Sequence, residues 1–137
     1  MNHLKTTILW MLTIIGMILH FNYHTADFIA GIAPAVAVTD PEPAGRLLIR
    51  TVFYHLPFLW IIVSLYTPKR RGNIVMLCIS ILYFAAHLLH FLSEIIKDNK
   101  SLSQSSLLFV VLIVAAVLVK EYYNILNRPA TTAPTAQ

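Results

Sequence analysis

The chain has 137 residues, of which 58% are hydrophobic and only 12% charged, with a formal net charge of +4 and a mean hydropathy of +0.71. A soluble domain carries roughly 25% charged residues, and a small fold with half of that cannot cover its surface, while disorder is excluded by the same hydrophobicity. One cysteine excludes an internal disulfide and a four-thiolate zinc centre, and with no basic run longer than Lys69-Arg70-Arg71 nucleic acid is not an expected partner. What remains is an all-α protein of the lipid bilayer.

A helix crosses ~30 Å of hydrocarbon in about 20 residues. Four segments of that kind occur, at 6–23, 47–66, 74–96 and 105–123. Contiguous apolar runs satisfy their backbone internally as helices, and none of the four alternates with the period of a strand. The expected fold is a single antiparallel four-helix bundle over 1–127, followed by a disordered tail at 128–137 without apolar side chains to bury.

The first span follows Lys5 and has the alternative of a secretory signal, with Ala35-Val36-Ala37 as a cleavage-like site. That site is too far past Asn22 for ordinary processing, so the span is expected to be retained. Its stripe Thr13, Gly16, His20, His24 and Asp27 has helical spacing, and Gly16 offers close approach to a neighbour. A Pro- and Gly-bearing connection at 25–45 leads to the second span.

The second span carries Arg50, Tyr54 and His55 near its beginning, then Pro57. Proline has no N–H to give the carbonyl of Phe53, which predicts a kink or an uncapped acceptor. The turn at 68–73 is short, so spans two and three are expected to be neighbours. Its cluster Lys69-Arg70-Arg71 should contact anionic lipid. Span three carries the stripe Ser80, Tyr83, His87, His90 and Glu94, with a reduced, packed Cys78 near its start. Span four has no ionisable residue from 105 to 119 and reads as a lipid-facing helix closing the bundle. Trp10, Trp60, Tyr122 and Tyr123 are expected at the interfaces or against lipid.

Loop cations set orientation. With both termini cytoplasmic, Lys5, Lys69, Arg70, Arg71, Lys120 and Arg128 lie inside, against Arg46, Arg50, Lys97 and Lys100 outside. This favours N-in, C-in in a plasma membrane, expected to be a bacterial inner membrane. At about 1.5 Å per residue, His20, His24, His55, His87 and His90 then all fall between the midplane and the outer surface.

Charged groups inside a membrane are costly and turn toward protein or water. The expected site is therefore a polar pocket in the outer half, formed by His20, His24, Asp27, Arg50, Tyr54, His55, Tyr83, His87, His90 and Glu94. Three uses of it follow. The leading one is an interhelical hydrogen-bond network that orders the bundle of a small accessory or structural subunit, bound to a larger membrane protein or to further copies of itself. The second is a centre for a transition metal, with ligands drawn from His20, His24, His55, His87 and His90, or for haem b between two opposed imidazoles such as His20 or His55 facing His87. The third is acid/base catalysis on a lipid or isoprenoid, with Arg50 holding a phosphate or carboxylate head. No motif in the chain identifies a reaction.

Overall fold

A computed structural model describes residues 2–31, 44–66, 69–97 and 102–128, without the side chains of Asn2, Asp27, Phe28, Arg46 and Lys97. The cleavage-like site at 35–37, most of the long connection, part of the turn at 68, most of the loop after Lys97 and the tail beyond 128 lie outside these residues, as does the Asp27 side chain.

The described residues are helical apart from short turns and contain no strand. The elements are α1 (Asn2–Ile29), α2 (Ala44–Arg50), a π-helical turn (Thr51–His55), α3 (Leu56–Tyr66), α4 (Arg70–Lys97) and α5 (Leu102–Leu126). The turn joins α2 to α3 in one continuous rod, so four helices are long and apolar enough to cross a membrane: His3–Ala26, Leu47–Tyr66, Arg70–Ile96 and Leu102–Leu126. The protein is an integral membrane protein. Three of the rods overrun the apolar windows, because a backbone leaving hydrocarbon keeps its hydrogen bonds until water can replace them.

The buried residues fall into a spacing of three and four. On α5 they are Gln104, Leu108, Val111, Ala115, Leu118 and Tyr122. On α4 they are Asn73, Met76, Ser80, Tyr83 and His87, with half-buried His90 and Glu94 continuing the same line. On α1 the line runs through Thr6, Trp10, Thr13, Met17 and His20. Alternating steps of three and four keep one stripe against neighbouring helices, which is the heptad seam of packed rods. Of the stripes expected on the first and third spans, Thr13, Gly16, His20, Ser80, Tyr83 and His87 are buried, His90 and Glu94 are half-buried, and His24 is exposed. Buried hydroxyls on them bond back to their own helices, as Ser80 does to the carbonyls of Met76 at 2.7 Å and Leu77 at 3.0 Å, and Thr13 to Leu9 at 3.0 Å.

Three expectations change. The fourth span is not a lipid-facing closure: α5 packs along both α1 and α4, whereas the second span is the least enclosed of the four. An all-apolar helix gives no contrast from which its buried face can be read. Nor are Trp10 and Tyr122 interfacial, since both have no exposed surface. The Trp10 indole N–H donates to the Tyr122 hydroxyl at 3.3 Å, and that hydroxyl also bonds Ser64 at 2.5 Å. One phenol therefore ties α1, α3 and α5 together. Trp10 also meets Tyr83 edge-on at 5.0 Å between ring centres. Tyr123, by contrast, is exposed, and so is Cys78, which does not pack inward.

The helix departs from regular α geometry just before Pro57. The Leu56 amide bonds to the Thr51 carbonyl, five residues back instead of four, which takes it away from Val52. The Tyr83 hydroxyl of α4 fills the gap: it donates to the Val52 carbonyl at 2.5 Å and accepts the Trp60 indole N–H at 3.2 Å. Neighbouring side chains commonly supply such donors where a membrane helix is broken.

Gly16 sits against α5 so closely that an added Cβ would run into the Val111 side chain. Valine is stiff at χ1 and cannot swing clear. Gly16→Ala should therefore cost about 1–3 kcal/mol by overpacking, and lower the melting temperature in detergent. Adding Val111→Ala should recover most of that loss; equal melting of Gly16→Ala and wild type would refute the close contact.

Candidate metal centre

At one end of the bundle the seams carry imidazoles instead of apolar groups. His20 is delivered by α1 one heptad past Thr13, and is 3% exposed. His24 follows one turn later, on the same side but exposed. From α4 come His90 and Glu94, also one turn apart and half-buried. The His20 Nε2 atom lies 3.1 Å from Nε2 of His24 and 3.2 Å from Nε2 of His90. The rings meet nearly perpendicular, with centres 4.6 and 5.1 Å apart and interplanar angles of 80° and 85°. Ligand atoms of His20, His90 and Glu94 all lie within 4.8 Å of one another.

This geometry is awkward for hydrogen bonding alone. A neutral imidazole nitrogen carries either one proton or one lone pair, yet Nε2 of His20 faces two other ring nitrogens. It cannot form a two-centre hydrogen bond to each. A tetrahedral ion with ~2.0–2.1 Å bonds to nitrogen instead holds neighbouring donors about 3.3 Å apart, all with lone pairs pointing at one centre. The two separations at His20 Nε2 are close to that edge length, and the donor atoms of His20, His90 and Glu94 lie within 4.8 Å of one another. The Nδ1 atom of His20 is buried without a hydrogen-bond partner.

The remaining residues of the expected pocket divide between two other places. His87 lies on the same α4 stripe, 2% exposed, with its ring 5.1 Å from Phe53 and 6.2 Å from Tyr83, and neither nitrogen has a hydrogen-bond partner. Phe53 also leans on His90 at 5.7 Å, so a ring from the π-helical turn covers one side of the cluster. Arg50, Tyr54 and His55 do not join it. They line a lateral cavity of about 240 Å³ with Ile18 and Phe21. Arg50 and His55 are exposed, and the Tyr54 hydroxyl reaches the Met17 carbonyl at 3.5 Å. Tyr83 is engaged with Val52 and Trp60, as described above.

The geometry therefore bears unequally on the ligand sets. His20 and His90 come together with Glu94, and His24 adjoins His20. Of the histidines considered for haem b, His20 is in direct ring contact with His24 and His90, His87 is packed on Phe53, and His55 lines the other cavity. The spacing of 73, 76, 80, 83, 87, 90 and 94 carries the signal that joins His90 and Glu94 to the inward face. No sequence signal distinguishes His87 from His90, because that difference rests on which neighbour occupies the space beside each ring.

Comparison of the chain with protein families, with curated proteins and with solved structures finds no match.

A buried ring with two unpartnered nitrogens costs desolvation without return, and replacing such a group by an apolar one of similar size is neutral or stabilising. His87→Leu should accordingly leave the melting temperature unchanged or raise it. A drop of more than a few degrees would mean that a partner of His87 exists in the folded protein.

Proposed function

We propose that this is a small metal-binding protein of the membrane, holding one divalent transition-metal ion between α1 and α4. The ligands are Nε2 of His20, Nε2 of His90 and the Glu94 carboxylate, with His24 as the fourth donor. The single observation that carries this reading is the convergence of those donor atoms from two helices within 4.8 Å, with His24 adjoining His20. Imidazole with one carboxylate suits zinc, copper, nickel or iron and disfavours calcium and magnesium, which take all-oxygen shells. The ion would also relieve the cost of a carboxylate in this setting, since a charge inside a membrane protein is tolerated when it is paired.

We further propose an antiparallel arrangement with both termini cytoplasmic, in a bacterial plasma membrane, so that the site belongs to the outer half. The excess of cations on Lys5, the 69–71 cluster, Lys120 and Arg128 supports this orientation. A reporter enzyme active only outside the cytoplasm, fused after Arg128, should be inactive; activity would reverse the assignment.

The accessory-subunit reading keeps one observation in its favour. Separations of 3.1 and 3.2 Å between ring nitrogens are also hydrogen-bond distances. Metal uptake separates the two. Protein purified in detergent, stripped with chelator and titrated with Zn²⁺, Ni²⁺ or Cu²⁺ should take up one ion per chain for at least one of them. His20→Ala and His90→Ala should each weaken binding at least tenfold, Glu94→Gln by about tenfold, and His87→Leu hardly at all. Uptake no greater than that of the His20→Ala/His90→Ala double variant would leave the histidines as a hydrogen-bond network in a structural subunit.

A further inference from the structure

The four donors of the metal centre are not held alike. His20 and His90 each stand six residues before the end of their spans, at Ala26 and Ile96, and His24 and Glu94 each stand two residues before it. At ~1.5 Å per residue, this makes an inner pair about 9 Å and an outer pair about 3 Å from where the apolar rods stop.

The outer pair is itself divided. Glu94 is half-buried, and it is one of the three residues, with His20 and His90, whose ligand atoms lie within 4.8 Å of one another. His24 is exposed, stands outside that set of three, and reaches it through His20, at 3.1 Å between Nε2 atoms. The inner rings are enclosed: His20 is 3% exposed, and His90 has the Phe53 ring against it at 5.7 Å. Close packing holds a side chain in one rotamer, whereas an exposed one turns readily. Of the four donors, His24 is therefore the one that can leave without disturbing its surroundings.

What remains when it turns away is two imidazoles and one carboxylate. Three protein donors with a fourth place for an outside ligand make an open zinc site, while closed structural sites draw all four from the protein. The place left beside His20 has held a ring, so a second imidazole fits it with the same bond length and the same edge-on approach, 4.6 Å between ring centres.

We infer that the His24 position is an exchange position, at which the ion of the metal-centre reading lets go of His24 and takes an imidazole nitrogen from outside the chain. One metal–nitrogen bond breaks as another forms. Both donors are neutral, and no proton or electron moves. His20, His90 and Glu94 keep the ion throughout.

The test is equilibrium dialysis of labelled imidazole against the full chain in detergent, loaded with whichever of Zn²⁺, Ni²⁺ or Cu²⁺ it takes up. Loaded His24→Ala should bind one imidazole per ion, and the same variant stripped of metal should bind none. Loaded wild type should bind it at least about tenfold more weakly, because the tethered ring competes at a high effective concentration. Loaded His20→Ala should bind none, since that place is closed to an outside ring. A blocked Gly-His-Gly peptide bound as well as imidazole would support a histidine of another protein as the donor, and imidazole bound alone would support a small molecule. Equal binding by wild type and His24→Ala, binding by the stripped variant, or loss of the ion itself in His24→Ala would each overturn the exchange. Should His24→Ala not fold, His24→Gln serves in its place with the same expectations. Metal content measured before imidazole is added separates these outcomes from failure of the centre: wild type that takes up no ion removes the metal-centre reading, and the exchange with it.

Discussion

A bilayer leaves a polar side chain nowhere to go but inward, and that one constraint organises this protein. Hydrocarbon offers no hydrogen bonds, so every hydroxyl, imidazole and carboxylate within the spans must find protein, a ligand or enclosed water. The alternating three- and four-residue steps on α1, α4 and α5 carry these groups to a common seam. Along it the groups are sorted by kind. One end holds Trp10, Ser64, Tyr83 and Tyr122, whose indoles and hydroxyls satisfy one another across helices. The other holds His20, with His24 and His90 beside its Nε2 and Glu94 close to His20 and His90. The indole and hydroxyl contacts hold the rods together, and the histidine cluster is where chemistry is to be sought.

The proline-induced turn connects these two ends to the lipid side. By displacing one amide from Val52 it creates a demand that Tyr83 meets, which ties the second span to α4 beside the Trp60–Tyr83 hydrogen bond. The same turn faces two ways. Phe53 covers His87 and His90, while Tyr54 and His55 open toward the lateral cavity. A single extra residue in a helical turn thus accounts for both the wall of the histidine cluster and the alignment of donors beside Arg50.

Much of the architecture is legible in the chain because length and apolarity alone decide that a segment crosses a membrane. The inward faces of α1 and α3–α4 partners are legible wherever polar residues break the apolar background, as at His20, Ser80 and Glu94. They are illegible on α5, where Leu108, Val111, Ala115 and Leu118 look no different from their lipid-facing neighbours. Aromatic residues mislead for a related reason: Trp10 and Tyr122 have the chemistry of the interface, and only the meeting of their indole and phenol inside the bundle explains their burial. Among the candidate ligands, the helical spacing of His20 with His24 and of His90 with Glu94 is visible in the sequence. That these two pairs meet, while His55 turns away, depends on the register of one helix against another and on the extra residue before Pro57, which no local pattern encodes.

Trp10, Met76, Leu118 and Tyr122 are each 1% exposed or less and pack as one cluster. Rings and branched chains at that density have no slack, so truncating any one of them would leave a void felt by each of the rods that meet there.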